Sequence, residues 1–284
     1  MSFQILNNIS DLQAQNSLST TQASLSQTLQ ALSSGQRINS GADDAAGLAI
    51  ANGLQANITA LTQSVQNATD GVGMLQVADG ALSQITTLLN RAVTLATESA
   101  TGTVSDSQRG GLQTEFASIQ TEITSIGQNT TYNGQAIFSS GGALTVYMSD
   151  SSGSGTTTVT VNLGVVNDSN LGVASGSTTP ISIASNTLSS ASNAQAALTN
   201  INSAIAGIAA LRGSLGAGSN QLTAATNVMN SQITNLTSAE NSIMAADIGT
   251  ETARLSKESI LQQTGIAALQ QSNQLQQSVL KLLQ

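Results

Sequence analysis

The sequence predicts a mainly α-helical fold: a long antiparallel helical coiled-coil bundle formed by the N- and C-terminal segments, with a small β-hairpin-containing region in mid-chain. Three observations predict this fold. Apolar residues recur at steps of three and four through the first 126 residues and again after residue 193. β-Branched residues concentrate between about 134 and 190. The first and last segments also match each other in length, in glutamine content and in scarcity of charge.

The N-terminal segment carries a narrow apolar stripe that predicts a helix ending near residue 33. The stripe consists of Ile5, Ile9, Leu12, Leu18, Leu25, Leu29 and Leu32. Gly35 follows the last periodic residue, which is a helix stop signal. Ser40 with Asp43 three residues later resembles a capping box, and this pair predicts the start of the next helix.

The second helix is predicted to run from this capping box to Gly102, because its apolar residues keep coiled-coil spacing over many turns. Glycine costs about 1 kcal/mol relative to alanine inside a helix. We therefore interpret Gly71, Gly73 and Gly80 as points of close helix contact. A third helix is predicted over about 105–126 from the stripe Leu112, Phe116, Ile119, Ile123 and Ile126.

The mid-chain zone, about 134–190, changes to strand patterns. Residues 143–148 and 156–163 are rich in β-branched side chains, and the second segment alternates Thr and Val. Residues 149–155 are mostly Ser and Gly, so we expect a flexible turn that joins the two strands into a hairpin.

Helical periodicity returns after Asn193, where an apolar residue falls at every seventh position from Ile201 to Ile243. Of the six positions four residues further on, four are polar (Arg212, Ser219, Thr226 and Glu240), so a single helix cannot bury this seam and needs the second and third helices as partners. A last helix begins near Asp247. We predict that the two terminal segments, 1–43 and 247–284, pair as one domain and that residues 44–246 form a bundle domain.

The composition excludes several classes of function. The chain has no His and no Cys, which excludes zinc fingers, Cys–His nucleophiles and imidazole bases, and no cofactor is expected. The net charge is −8 with 7 Lys and Arg, which argues against nucleic-acid binding. The chain has no apolar run of 18 residues and no N-terminal signal pattern, so we expect neither membrane insertion nor a cleavable signal peptide.

Few charged side chains invite a catalytic interpretation, and we predict that the protein is not an enzyme. Asp43 and Asp44 are adjacent acids, but helix capping explains them more simply. Glu251, Arg254 and Glu258 are spaced by three and four residues, and we interpret them as a solvated ion-pair face.

Several ordered motifs resemble bacterial flagellins. Residues 33–40 (SSGQRINS) and 43–51 (DDAAGLAIA) are similar to the N-terminal signature of that family, and 67–71, 80–82 and 131–134 are similar to its continuation. The C-terminal family pattern is matched by 215–217 with Asn220, by Glu240 and Asn241, and by 260–263 and 279–283. Two positions depart from it: Ser219 and Gln221 stand where the family usually has Gln and Arg. The resemblance covers roughly 1–140 and 190–284, with only about 50 residues where the family often carries large outer domains.

The resemblance implies a structural subunit that polymerises into the flagellar filament for swimming motility. The terminal helices would line the inner tube and the bundle would form the outer tube. The terminal assembly interface would comprise Ile5, Ile9, Leu12, Leu25, Leu29, Leu32, Leu255, Leu269, Leu275, Val279 and Leu282. Arg37, Asp43 and Asp44 would form the motif at the domain junction. One alternative is a hook–filament junction protein, which resembles flagellin at both ends but does not form long filaments. Another is a non-flagellar coiled-coil surface protein.

The resemblance also implies an extracellular location on the bacterial flagellum and type III export. The partners would be further copies of the chain, an export chaperone, and cap and junction proteins. At Arg91, Leu95 and Glu115 this sequence is similar to flagellins that a host Toll-like receptor recognises. The resemblance implies that the Arg91 guanidinium would donate a pair of hydrogen bonds to the receptor, that Leu95 would be an apolar anchor, and that Glu115 would be a nearby acid. The alternative is that Leu95 lies in the core and the two charges pair across helices. Residues 92–94 (AVT) replace the family's Ile-Arg-Glu.

Overall fold

The computed structural model describes residues 9–138, 142–149, 158–173 and 181–282, and it confirms the mainly α fold. The helices are α1 (Ile9–Ser34), α2 (Ala45–Ala100), α3 (Asp106–Asn129), α4 (Ala191–Met244) and α5 (Ile248–Leu282). The strands are β1 (Thr131–Tyr132), β2 (Gln135–Ala136), β3 (Ala143–Tyr147), β4 (Thr158–Asn162), β5 (Val165–Asn167) and β6 (Asn170–Val173).

The chain divides into two compact units, which we call the terminal unit and the central unit. The terminal unit comprises residues 1–56 and 235–284, and the central unit comprises residues 57–234. This division falls inside α2 and α4. The predicted boundary between functional domains, at 43/44 and 246/247, stays a prediction.

The core of the central unit consists of the predicted helical stripes. Ile201, Ile208, Leu215, Leu222 and Met229, at seven-residue intervals on α4, are all buried. The buried side chains of α2 and α3 follow their own stripes, and include Leu75, Leu82, Ile85, Leu89, Phe116 and Ile123. A fully buried side chain of this size contributes about 1.5–3 kcal/mol. These stripes therefore provide most of the hydrophobic stabilisation of this unit.

The turn between α2 and α3 is fixed by a capping box and a buried arginine. The Ser105 side chain accepts from the backbone N–H of Gln108, and the Gln108 side chain accepts from the backbone N–H of Ser105. Arg109 is buried and donates to the carbonyl oxygens of Ser99 and Thr101, both at 3.0 Å. The guanidinium thus satisfies free carbonyl groups at the C-terminal end of α2.

The strands form three separate antiparallel hairpins. β3 and β4 pair with Thr145 opposite Thr160, which confirms the predicted hairpin. β1–β2 and β5–β6 were not predicted. In the turn between β1 and β2, Asn133 and Gly134 have φ values of 49° and 77°. Asn-Gly is the sequence that such a two-residue turn favours.

The interior glycines of α2 differ in their surroundings. A Cβ at Gly71 would lie 2.8 Å from Val146 Cγ2 of β3 and 3.2 Å from Leu222 Cδ1 of α4. A Cβ at Gly73 would lie 3.2 Å from the Tyr132 hydroxyl. Gly80 has no described neighbour within 4 Å, so its interpretation as a close-contact position is wrong.

Arg212 on α4 and Asp79 on α2 form a two-pronged ion pair in the central unit, with Nε–Oδ1 at 2.7 Å and Nη2–Oδ2 at 3.2 Å. The hydrogen bonds from Arg212 lower the pKa of Asp79 below its ordinary value of 3.8. A lowered folded-state pKa stabilises the fold above the unfolded-state pKa, and this contribution is lost as the pH falls below 3.8.

We therefore expect Asp79→Asn to lower the free energy of unfolding at pH 7 by up to about 1 kcal/mol, because the pair is partly exposed. At pH 3 the difference from the wild type should shrink. Denaturant unfolding at both pH values measures the free energy of unfolding of the variant and of the wild type. Asp70→Asn, on the same helix, is the control because Asp70 has no cationic partner among the described residues. A loss for Asp79→Asn that is equal at both pH values would contradict the prediction.

Candidate assembly surface

Helices α1 and α5 pair with each other along their length, which confirms the predicted pairing of the terminal segments. The pair is antiparallel, since Thr28 contacts Glu258 while Leu18 lies beside Gly265. Buried and half-buried side chains recur at steps of three and four on both helices. They include positions 14, 18, 21, 25, 28 and 32 of α1 and positions 251, 255, 258, 262, 265, 269 and 272 of α5. We call these positions the α1–α5 seam, and their spacing is that of a coiled coil.

The seam is unusually polar for a coiled coil. Thr28 is buried and its hydroxyl donates to Glu258 Oε2 at 3.0 Å. Glu251 and Glu258 are each only 8 % exposed. The interpretation of these acids as a solvated face is therefore wrong, because both lie on the side of α5 that faces α1. Five of the thirteen seam positions are leucine, so the pair buries less apolar surface than a coiled coil whose seam is apolar throughout.

Large apolar side chains are exposed on the other faces of α1 and α5. Ile9 and Leu12 are 69 % and 58 % exposed. The other exposed members are Leu29, Ile248, Ile260, Leu261 and Ile266. We call these seven residues the outer apolar set. These seven side chains give the helix pair exposed apolar surface that another molecule could cover.

The predicted interface residues fall into three groups. Ile9, Leu12 and Leu29 belong to the outer apolar set and are exposed. Leu25, Leu32, Leu255 and Leu269 are half-buried in the α1–α5 seam. Ile5 and the side chains of Leu275, Val279 and Leu282 lie outside the described part of the chain.

The sequence interpretation missed Ile248, Ile260, Leu261 and Ile266 as surface residues. The sequence partly indicated two of them, because Ile260 and Leu261 lie within a segment similar to the flagellin pattern. Adjacent apolar residues on a helix cannot both face one seam, so at least one must face outward. Which one faces outward depends on the position of the partner helix.

The junction between α1 and α2 meets the junction between α4 and α5 in a short backbone link. Gln36 and Ala245 form an antiparallel β-bridge. The backbone N–H of Arg37 donates to the Met244 carbonyl at 2.7 Å, and its Nη2 donates to the Ile243 carbonyl at 2.9 Å. Arg37 therefore caps the C-terminal end of α4 with both a backbone donor and a positive charge.

Asp43 and Asp44 have different roles at the start of α2. Asp43 Oδ2 accepts from the backbone N–H groups of Asn39 at 3.0 Å and Ser40 at 2.8 Å, and these bonds lower the pKa of Asp43. Asp44 Oδ1 accepts from the Gly47 N–H at 2.8 Å, which makes Asp44 the N-cap. The prediction that Ser40 caps this helix is wrong, because the Ser40–Asp43 pair closes the preceding turn.

Arg91, Leu95 and Glu115, the predicted receptor contacts, lie in the central unit. Arg91 pairs with Glu115 across α2 and α3, with Nε–Oε1 at 2.6 Å and Nη2–Oε2 at 3.0 Å, and these hydrogen bonds lower the pKa of Glu115. Both charged side chains are exposed. Leu95 is fully buried, which agrees with the alternative that it lies in the core. Receptor contact by Arg91 and Glu115 remains a prediction.

Two kinds of site are absent from the described residues. These residues include no group of three or more acidic side chains arranged to hold a metal ion. None of their helices is long and apolar enough to cross a bilayer.

Two family models match the chain on either side of its hairpin region. The bacterial flagellin N-terminal helical region matches residues 5–142, and the bacterial flagellin C-terminal helical region matches residues 198–283. The chain belongs to the bacterial flagellin family. Flagellins are a family of structural proteins.

Curated flagellins are similar over part of their length. The flagellin of Escherichia coli O127:H6 is 36 % identical over 171 residues, which cover 60 % of this chain and 31 % of that relative. The phase 2 flagellin of Salmonella typhimurium is 38 % identical over 173 residues, which cover 61 % and 34 %. The matched part of this chain thus spans about a third of each of these curated flagellins.

Solved structures are similar to this family member over part of its length. A putative flagellar hook-associated protein from Vibrio parahaemolyticus matches with a TM-score of 0.58 at 15 % identity, over 72 % of this chain and all of the other. A Bacillus cereus flagellin is 27 % identical, with a TM-score of 0.46, over 62 % of this chain and 94 % of the other.

Proposed function

We propose that this protein is the structural subunit of a bacterial flagellar filament, and that it polymerises with copies of itself to serve swimming motility. The observation that carries the proposal is the outer apolar set on α1 and α5, in a chain of the flagellin family. Identical neighbours would bury these side chains. A contact between two different surfaces of identical subunits repeats without closing and produces a helical filament.

In this proposal residues 1–43 and 247–284 form the inner tube and residues 44–246 form the outer tube. The polar α1–α5 seam supports a further step of the same mechanism. Because the pair is weakly stabilised alone, it would gain most of its order when neighbouring subunits cover the outer apolar set. Folding of the terminal helices would then be coupled to assembly, which would limit premature polymerisation.

Further partners follow from the same family. The protein would leave the cell through the flagellar type III apparatus, with an export chaperone bound to its C-terminal segment, and would act outside the cell beside cap and junction proteins. The exposed apolar residues of α5, among them Ile260 and Ile266, support chaperone binding, since a partner protein can bury such side chains.

Seeded polymerisation tests the proposal. Purified full-length protein is mixed with sheared filaments or with a precipitating salt and viewed by electron microscopy, and the same protein without seeds or salt is the control. We expect long uniform tubes. Short caps or persistent monomers under all conditions would contradict a filament subunit and favour a hook–filament junction protein.

A further inference from the structure

Two Asn-Gly sequences occur in the chain, at Asn52-Gly53 and at Asn133-Gly134. When glycine follows asparagine, the next backbone nitrogen can reach the side-chain amide carbon easily, because glycine has no side chain to hinder the approach. All four residues are exposed. The two sites therefore share their sequence and their access to water, and they differ in the backbone structure around them.

Asn133 and Gly134 form the two-residue turn of the β1–β2 hairpin. Neither the Asn133 side chain nor the Gly134 N–H has a hydrogen-bond partner among the described residues. A Cβ added to Gly134 would meet no described atom within 4 Å beyond its two neighbours in the chain. The backbone nitrogen of Gly134 and the side-chain amide of Asn133 are thus both open to water.

The hairpin around this turn is small, because β1 and β2 each contain two residues. A five-membered ring between Asn133 Cγ and the Gly134 nitrogen can close only if the Asn133 backbone rotates, which the intact turn restricts. Two strands of this length have little stability of their own, so local opening of the hairpin costs little free energy. Opening of the turn therefore gives Asn133 the freedom that ring closure needs.

The helix α2 surrounds the other Asn-Gly sequence. In an α-helix the backbone N–H of Gly53 donates to the carbonyl oxygen of Ala49, four residues earlier. This hydrogen bond holds the proton that must leave before the nitrogen can attack. Rotation of the Asn52 backbone would also break the helix in its interior. The helix therefore protects Asn52, although the local sequence is the same.

We propose that Asn133 is a site of spontaneous deamidation, with water as the only co-reactant. Hydroxide removes the proton of the Gly134 N–H, and this nitrogen forms a bond to Cγ of Asn133. The bond from Cγ to Nδ2 breaks, and Nδ2 takes a proton from water and leaves as ammonia. Water then opens the cyclic imide at one of its two carbonyl carbons. Opening at Cγ gives aspartate, and opening at the backbone carbonyl gives isoaspartate.

The two products affect the hairpin differently, although each adds one negative charge to a chain whose net charge is −8. Asp-Gly suits the same turn as Asn-Gly, so aspartate keeps the pairing of Tyr132 with Gln135. Isoaspartate adds a methylene group to the backbone between these two residues, and this disrupts their pairing. Tyr132 would then lose its position against α2 at Gly73. The reaction needs no second copy of the chain, so it does not depend on the proposed polymerisation.

Incubation of the full-length wild-type protein in ¹⁸O-labelled water tests the proposal. Samples are taken over time from a mildly alkaline buffer and digested with pepsin in ordinary water at acid pH, and the peptides are analysed by mass spectrometry. A deamidated site has gained ¹⁸O. We expect deamidation at Asn133 to be at least about tenfold faster than at Asn52, because α2 must open before Asn52 can react. Methylation by a protein isoaspartyl methyltransferase identifies the isoaspartate product.

The same protein unfolded in guanidinium chloride is the control, because both Asn-Gly sequences are then free of their folded surroundings. The two sites should react at similar rates in the unfolded protein. In the folded protein, equal rates at the two sites, or a faster reaction at Asn52, would overturn the proposal. Folded protein that stays unmodified at Asn133, while the unfolded protein reacts at both sites, would show that the turn protects Asn133 and would also overturn it.

Discussion

Deleting residues 1–43 or residues 247–284 is expected to abolish polymerisation completely. Either deletion removes one helix of the α1–α5 pair and exposes the seam of the other, including the buried acids Glu251 and Glu258 when α1 is lost. A single helix with a polar seam is marginal in water. The remaining terminal segment would then lose its ordered surface for contact with a neighbour.

The same deletions should leave the central unit folded, because its buried residues lie within 57–234. Seeded growth followed by electron microscopy measures polymerisation. Thermal unfolding followed by circular dichroism measures the fold of the central unit, with full-length protein as the reference. Filaments formed by either deletion variant would contradict the assembly role of the terminal helices. Loss of the main unfolding transition would show that the central unit needs them.

Gly127→Ala is expected to destabilise the central unit by at least about 3 kcal/mol, at the upper end of the usual cost of overpacking. Gly127 is buried on α3 where β5 packs against it, and an added Cβ would collide with the backbone carbonyl of Val166. A backbone oxygen held in a hairpin cannot move aside as a flexible side chain can. The strand would have to separate from the helix.

Gly110→Ala, on the same helix, is the matched control. No described atom lies within 4 Å of the position that its Cβ would occupy, and the residue is exposed. The same substitution should here stabilise the protein by up to about 1 kcal/mol through helix propensity alone. Denaturant unfolding of the two variants measures the difference in sign. If both substitutions changed the free energy of unfolding equally, the close approach of β5 to α3 would not contribute to stability.

The parts of the fold that the sequence predicted have long and regular apolar periods. The seven-residue series on α4 and the stripe through Phe116 and Ile123 on α3 each define one helix face without any knowledge of the partner. The β3–β4 hairpin was predictable for a similar reason, since alternation of Thr and Val over one strand determines which side is buried. β1–β2 and β5–β6 are too short to show any period.

The candidate surface was less predictable, because its features depend on tertiary contacts. Charges spaced by three and four residues look the same on a solvent face and on a helix seam. Only the position of Thr28 opposite Glu258 places these acids inside. The same reasoning applies to Leu95, whose motif is similar to a receptor contact while its helix face is part of the core. At the start of α2, both Asp43 and Asp44 suit an N-cap, and the turn geometry decides between them.

The backbone link between Gln36 and Ala245 also has a mechanical consequence. Bending an intact helix lengthens or breaks its i→i−4 hydrogen bonds. At this link both segments have already left helical geometry. Hydrogen bonds between the two segments, such as the one from the Ala246 N–H to the Gly35 carbonyl at 3.0 Å, replace the helical hydrogen bonds. We therefore expect a bend at this link to break fewer helical hydrogen bonds than a bend inside α1 or α4, while the hydrogen bond from Arg37 Nη2 to the Ile243 carbonyl still ties the two segments together.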